Sequence, residues 1–392
     1  MIGMDTKLAS DLFCSLLMAN HIMSGTQIIS TISKAGLETV ESFWRAHEDY
    51  MNADHLSSDQ IDRFDKFRKS EVYAKFETYV DYCSNHQIRS VDRLDPAYPG
   101  YMQNLTNMPF VLFYKGDFSL LGEKKSRVCI VGTRCPSVYG RRVTREFSEK
   151  LSRHDLVIVS GLARGVDTLA HEGCLSAGGK TIAVMPCGLD RIYPKENRDL
   201  FDRISKEGLL LSELFPGQDP LRTYFPARNR ILSAISDCVL ITEAGKNSGT
   251  LHTASFAAAQ GREVFAIPSI IYSETAEGNL SLLRDGASVA IEPEDLLAYL
   301  AKVVFFRELE EIKDVYDRKV MERKIKEAPE SITSEEIRRI LIDYLSSCEL
   351  SVDEIVRESG LPYRSVIKEL GKMELEGSVT RERQKYVLTI RF

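Results

Sequence analysis

Between residues 127 and 300 the chain repeats one device: a short apolar run without polar alternation, closed by glycine, proline or an acid. The runs are VCIVG, LVIVSG, TIAVMP, LLLSE, CVLITEA, VFAIP and SVAI, with helix-like stretches such as Arg141 to Arg153 and Leu251 to Gln260 between them. A strand with one wet face alternates in polarity, whereas a strand that is apolar on both sides must be covered on both sides. A parallel sheet with helices above and below does this. The expected fold class is therefore α/β, a mostly parallel, doubly wound sheet.

The flanks differ. Over residues 1–90 apolar positions recur at helical spacing (Leu12, Leu16, Leu17; Ile28, Ile32; Phe76, Tyr79, Val80), which predicts a small helical domain. Ser30 to Val40 fits either a plain helical bundle or a helix-turn-helix of the helix-hairpin-helix or sterile-alpha-motif type. A Pro-containing stretch from Leu94 to Gly116 leads into the α/β domain, set at residues 91–304. Residues 305–330 are charged and poor in glycine and predict a helical linker. Residues 331–392 read as three helices (Ser334 to Ser346, Ser351 to Ser359, Pro362 to Glu376) and a hairpin, the order of a winged-helix domain. Its last helix mixes Glu369, Glu374 and Glu376 with Arg364, Lys368 and Lys372. DNA reading and a protein-contact or dimerisation role both stay open.

Composition excludes several classes. The eight cysteines are scattered with no CxxC pair, so neither a zinc site nor a disulfide framework is expected. No apolar run approaches 18 residues, and the chain is expected to be cytoplasmic, with no membrane partner. A formal charge of −6 argues mildly against nucleic acid, but net charge is silent on local clustering.

In an open parallel sheet ligands bind beyond the carboxyl ends of the strands. Three loops there are rich in glycine and polar groups: Gly132-Thr133-Arg134, Ser160-Gly161 through Arg164, and Ser248-Gly249-Thr250. Glycine lets backbone amides approach an anion, a following helix N-terminus adds partial positive charge, and arginine offers a planar fork for phosphate. None of the three is a GxGxxG fingerprint and no GxxxxGK[ST] loop occurs, so no NAD or ATP cofactor is expected. The segment Arg222-Thr-Tyr224-Phe225-Pro-Ala-Arg228-Asn229-Arg230 carries three arginines and no acid beside two aromatic rings. Cations that track a backbone next to rings on which bases stack are what single-strand binding requires.

The succession VGTR, SGLARGVDTLAH, GGKTIAVMPCGLDRIYPKEN, FPARNRILSAISDCVLITEA, SGTLHTA and AAAQGREVFAIP resembles the DNA-processing protein A (DprA/Smf) family over residues 94–300. The resemblance implies an extended Rossmann-like domain that binds single-stranded DNA, forms a homodimer, and loads RecA recombinase onto strands covered by single-strand-binding protein during natural transformation. It places DNA contacts at Gly132, Thr133, Arg134, Lys195, Arg222 and Phe225, and no catalysis. Two departures from the family pattern stand out, Ser269 after Pro268 and the segment Gly278 to Leu282. Asp167 and His171 are read as a capping carboxylate and a packed ring. The alternative function is nucleotide or nucleotide-signal binding, or phosphoribohydrolase-like hydrolysis, with Glu243 as the strand-tip carboxylate.

Overall fold

The computed structural model describes residues 5–47, 56–275, 277–305, 334–347, 349–382 and 385–389. Nearly all of the expected linker 305–330 lies outside them. The chain divides into two compact units, Met1–Val303 and Val304–Phe392.

In the first unit all seven apolar runs become strands: β3 (Arg127–Val131), β4 (Val157–Ser160), β5 (Thr181–Val184), β6 (Leu209–Ser212), β7 (Cys238–Ile241), β8 (Glu263–Ala266) and β9 (Ser288–Val289). Two earlier strands, β1 (Arg89–Asp92) and β2 (Val111–Gly116), extend the sheet to nine in the order β1-β2-β6-β5-β4-β3-β7-β8-β9. The strands β3 to β9 pair in parallel, while β2 is antiparallel to both β1 and β6. Every residue of β3 to β7 is buried, which is why their sequences do not alternate.

Successive side chains of one strand feed two cores. Cys129 and Val131 join one cluster with Ile231 and Leu232, whereas Val128 and Ile130 join another with Phe147 and Leu151. Each fully buried Val, Leu or Ile contributes about 1.5–3 kcal/mol. The helices of the first ninety residues do not stand apart. Leu12, Phe13, Phe76 and Val80 share one cluster with Phe113 of β2, Ala183 of β5 and Leu210 of β6, covering that end of the sheet.

Chain order creates the functional edge. From β3 the chain moves outward through β4, β5 and β6, then returns to the opposite side of β3 as β7, β8 and β9. Loops leaving the carboxyl ends of β3 and β7 therefore diverge and leave a crevice. The far side of this edge is pinned by Asn279, which is fully buried. Its Oδ1 accepts from Ala244 N at 2.8 Å, and its two amide hydrogens are shared among the carbonyls of Ile241, Ile267 (both 3.0 Å) and Thr242 (3.2 Å). The departure noted at Gly278 to Leu282 thus contains an asparagine that ties the ends of β7 and β8 together.

The second unit comprises helix Ser334–Ser347, β10 (Leu350–Ser351), helix Val352–Ser359, helix Tyr363–Leu375, β11 (Val379–Glu382) and β12 (Lys385–Leu388), with antiparallel strand order β10-β12-β11. A Ser351/Glu354 capping box opens the second helix and Gly360, at φ +70°, closes it. Two of the acids counted against a DNA-reading role are committed inside the unit: buried Glu369 accepts from Lys372 Nζ at 3.0 Å, and Glu376 pairs with Arg338.

Because Asn279→Ala strands one buried amide and strips a partner from three carbonyls, it should cost about 3 kcal/mol. The expected readout is a lower urea midpoint at unchanged m-value.

Candidate nucleic-acid interface

At the switch point lies a cavity of about 380 Å³ lined by Gly132, Thr133 and Arg134 after β3, Ala163 and Asp167 after β4, Ser248, Gly249 and Thr250 after β7, and Phe225, Arg228 and Asn229 of helix Tyr224–Ala234. The three loops interlock. Thr133 N donates to Glu243 O at 2.7 Å and Val166 N donates to Thr133 O at 3.1 Å. Gly165 turns the second loop at φ +77°, and a Cβ there would lie 2.5 Å from Thr133 O. In the third loop Ser248 Oγ donates to Thr250 Oγ1 at 2.9 Å, and Asn229 Nδ2 reaches Gly249 O at 3.4 Å.

Exposed Arg134 carries its guanidinium 5.0 Å from the centre of the Phe225 ring, and Tyr193 meets Phe225 edge-on at 5.3 Å. Arginine stacked on a ring that also faces the cavity presents a cation and a π-face together.

The expected DNA-contacting residues separate by position. Gly132, Thr133, Arg134, Phe225, Asn229, Ser248, Gly249 and Thr250 come together in the first cavity. Arg164 and Lys195 instead line an adjoining cavity of about 770 Å³. Arg222 is exposed and lines neither.

Four of the expected contacts are engaged within the fold itself. Arg228, read as a solvent-facing cation, is 6% exposed; it donates to Gly161 O at 2.7 Å and to Val184 O, and its Nε donates to Asn229 Oδ1 at 3.2 Å. Gly161 exists to admit it, since a Cβ would sit 2.2 Å from Arg228 Nη2. Ser160 is fully buried and donates to Ile130 O at 2.7 Å. Arg230 is paired with Glu213 at 2.5 Å. A regular helix pattern does not reveal which arginine turns inward.

Two further readings resolve in geometry. The N-terminus of helix Val138–Ser152, expected to greet an anion, already holds the protein's own. Glu243 accepts from Ser137 N at 2.8 Å and Ser137 Oγ at 3.2 Å, and from Thr275 Oγ1 at 2.5 Å. Asp167 is buried beside its helix start and accepts from Ala163 N at 3.3 Å; burial raises its carboxyl above the usual range and the positive Arg228 pulls it back. His171 is fully buried with Nδ1 2.7 Å from Thr181 Oγ1, whose proton goes to Ile158 O. Nδ1 is therefore the protonated nitrogen. No metal-binding cluster occurs among the described residues. Sequence reasoning did not single out Tyr193; the segment ending Tyr193-Pro194-Lys195, through which the family resemblance supplied Lys195, was the signal that could have found it.

Fold and crevice define an extended Rossmann-like protein with an open, cationic cleft at its topological switch point. The chain belongs to the DNA recombination-mediator protein A family, whose model matches residues 89–301; a DprA winged helix domain model matches residues 325–384. It is 44% identical over 214 residues to Protein Smf of Synechocystis, covering 53% of each chain. It is 43% identical over 205 residues to DNA processing protein DprA of Streptococcus pneumoniae, covering 52% of this chain and 72% of that one. The X-ray structure of the S. pneumoniae protein superposes with a TM-score of 0.53 at 35% identity, over 70% of this chain and 98% of that one. A DNA processing protein A structure from Helicobacter pylori, described for its single-stranded DNA binding mode, gives 0.50 at 32% identity, over 56% of this chain and 98% of that one.

Two outcomes follow. Gly161→Ala and Arg228→Met should each destabilise the fold, but the double variant should lose less than the sum, because methionine removes the group that the new methyl strikes; urea denaturation of all four proteins measures the coupling. Burial holds the His171 imidazole down to about 3 against an ordinary 6.5. The unfolded chain then binds the proton more tightly, so this contribution is complete above pH 6.5 and is lost as pH falls toward 3. His171→Leu should flatten stability against pH across that window relative to the parent protein.

Proposed function

We propose that this chain binds single-stranded DNA in the switch-point cleft, with phosphates on the loop amides and Arg134 and a base against Phe225. The observation that carries the reading is the Arg134–Phe225 pair above three glycine-containing loops. Unpaired bases offer π-faces that a duplex hides, so the strand should be preferred over the duplex. Family membership and the single-stranded DNA binding mode described for the H. pylori relative support the same reading. The family's description as a recombination mediator extends it to protecting strands and loading RecA recombinase during natural transformation and recombination, with single-strand-binding protein as a competitor for the strand and a homodimer as the working form. Among the described residues no helix is long and apolar enough to cross a membrane.

The nucleotide-hydrolase alternative needs a strand-tip carboxylate offered to a ligand, and the Glu243 carboxylate is instead engaged by Ser137 and Thr275. The reading favoured here assigns no reaction to the cleft.

The test is binding of fluorescent oligothymidine and its duplex counterpart over a salt series. Single-strand affinity should fall steeply with salt, and Arg134→Ala should weaken it and make the log–log slope shallower by roughly 0.7, the value of one phosphate contact. Absence of single-strand binding by the unaltered protein would refute the proposal.

A further inference from the structure

The second cavity adjoins the first. Ala163 lines one and Arg164 the other, and the edge-on pair Phe225–Tyr193 places one ring in each. Its far wall comes from the N-terminal helical region: Tyr82 and exposed His86, at the end of helix Phe76–Asn85, stack with centroids 3.9 Å apart and planes within 16°. His86 Nδ1 lies 2.8 Å from Tyr82 O, which holds the imidazole in the stack.

Charge between these rings is unevenly committed. Arg164 is paired with Glu196, and Arg191 with Asp190 (3.3 Å) and Asp219 (3.5 Å). Lys115 of β2, Lys195 and Arg198 make no ion pair among the described residues, and Asp202 is the acid left facing them. The cavity lining therefore combines three cations without an ion pair and one such acid with rings from two parts of the chain, Tyr193 after β5 and Tyr82 with His86 of the N-terminal region. Carbonyls at the carboxyl end of helix Phe76–Asn85 disfavour a phosphate at His86, so the ring pair suits a base.

We infer that the strand continues past Phe225 and Tyr193 into this second cavity, with its backbone along Lys195, Arg198 and Lys115 and a further base stacked on the His86–Tyr82 pair. The N-terminal helical region is then part of the nucleic-acid site, and the occluded strand is longer than the switch-point cleft alone would hold. This inference rests on the single-strand reading proposed above.

A length series of oligothymidines, with 2-aminopurine placed at either end, tests it on the full chain. Affinity should rise with length until the second cavity is filled, and at that length one terminal 2-aminopurine should be quenched by stacking. His86→Ala, an exposed change that leaves the core intact, should abolish that quenching and weaken the longer oligomers about tenfold while sparing the shortest. His86→Phe should restore both, and Lys115→Ala should weaken only the longer oligomers. Arg134→Ala should weaken every length. If His86→Ala and Lys115→Ala match the unaltered protein at every length while Arg134→Ala does not, the extension is wrong and the cleft reading stands. If the unaltered protein binds no oligomer, the cleft reading fails and the extension with it.

Discussion

The buried guanidinium of Arg228 is the interaction on which the cleft depends. An arginine removed from water costs several kcal/mol unless its protons are matched. Here carbonyls at the ends of two strands do the matching, Gly161 after β4 and Val184 of β5, with the Asp167 carboxyl supplying compensating field. One side chain thus ties helix Tyr224–Ala234 to two strand tips. Phe225 and Asn229 sit on the same helix, so the ring that receives Arg134 and the amide that reaches the Gly249 loop are set by that tie. Glu243 acts in the same way on the other side of β3, holding Ser137 and Thr275 so that the first loop cannot collapse into the crevice. Both charges are spent on shape, which leaves Arg134 as the exposed cation lining the cleft.

This division explains what the sequence disclosed. Non-alternating runs declared the parallel sheet because burial on both faces is a property of each strand by itself, and the glycine loops could be placed because strand tips are known once strands are. The winged-helix unit was legible from the order of its segments, three helical stretches followed by a hairpin, which the structure reproduces. The inward turn of Arg228, the commitment of Arg230 to Glu213 and the burial of Ser160 were not legible. Each depends on a partner far away in the chain, and a run of three arginines looks the same whether its members face solvent or a carbonyl. The sharing of one core between the first ninety residues and the sheet was hidden for the same reason: helical periodicity tells which face is buried but not against what.

A net charge of −6 is compatible with the phosphate-binding role proposed for the cleft because most of the acids around it are engaged within the protein. Glu243 and Asp167 are buried under their own loops, Glu213 is turned to Arg230, and Glu196, Asp190 and Asp219 face arginines. Arg134 and Lys195 are exposed and make no ion pair among the described residues. A field built from a few exposed cations is short in range, about 10 Å at ordinary ionic strength, against a chain whose net charge is −6. Long-range steering of a polyanion would therefore be weak, and on the single-strand reading capture would rely on contacts made at the cleft itself. Rings suit that requirement, since stacking is insensitive to salt and to base identity. On the single-strand reading, the Phe225–Tyr193 pair would supply it where the cationic side chains alone would be screened.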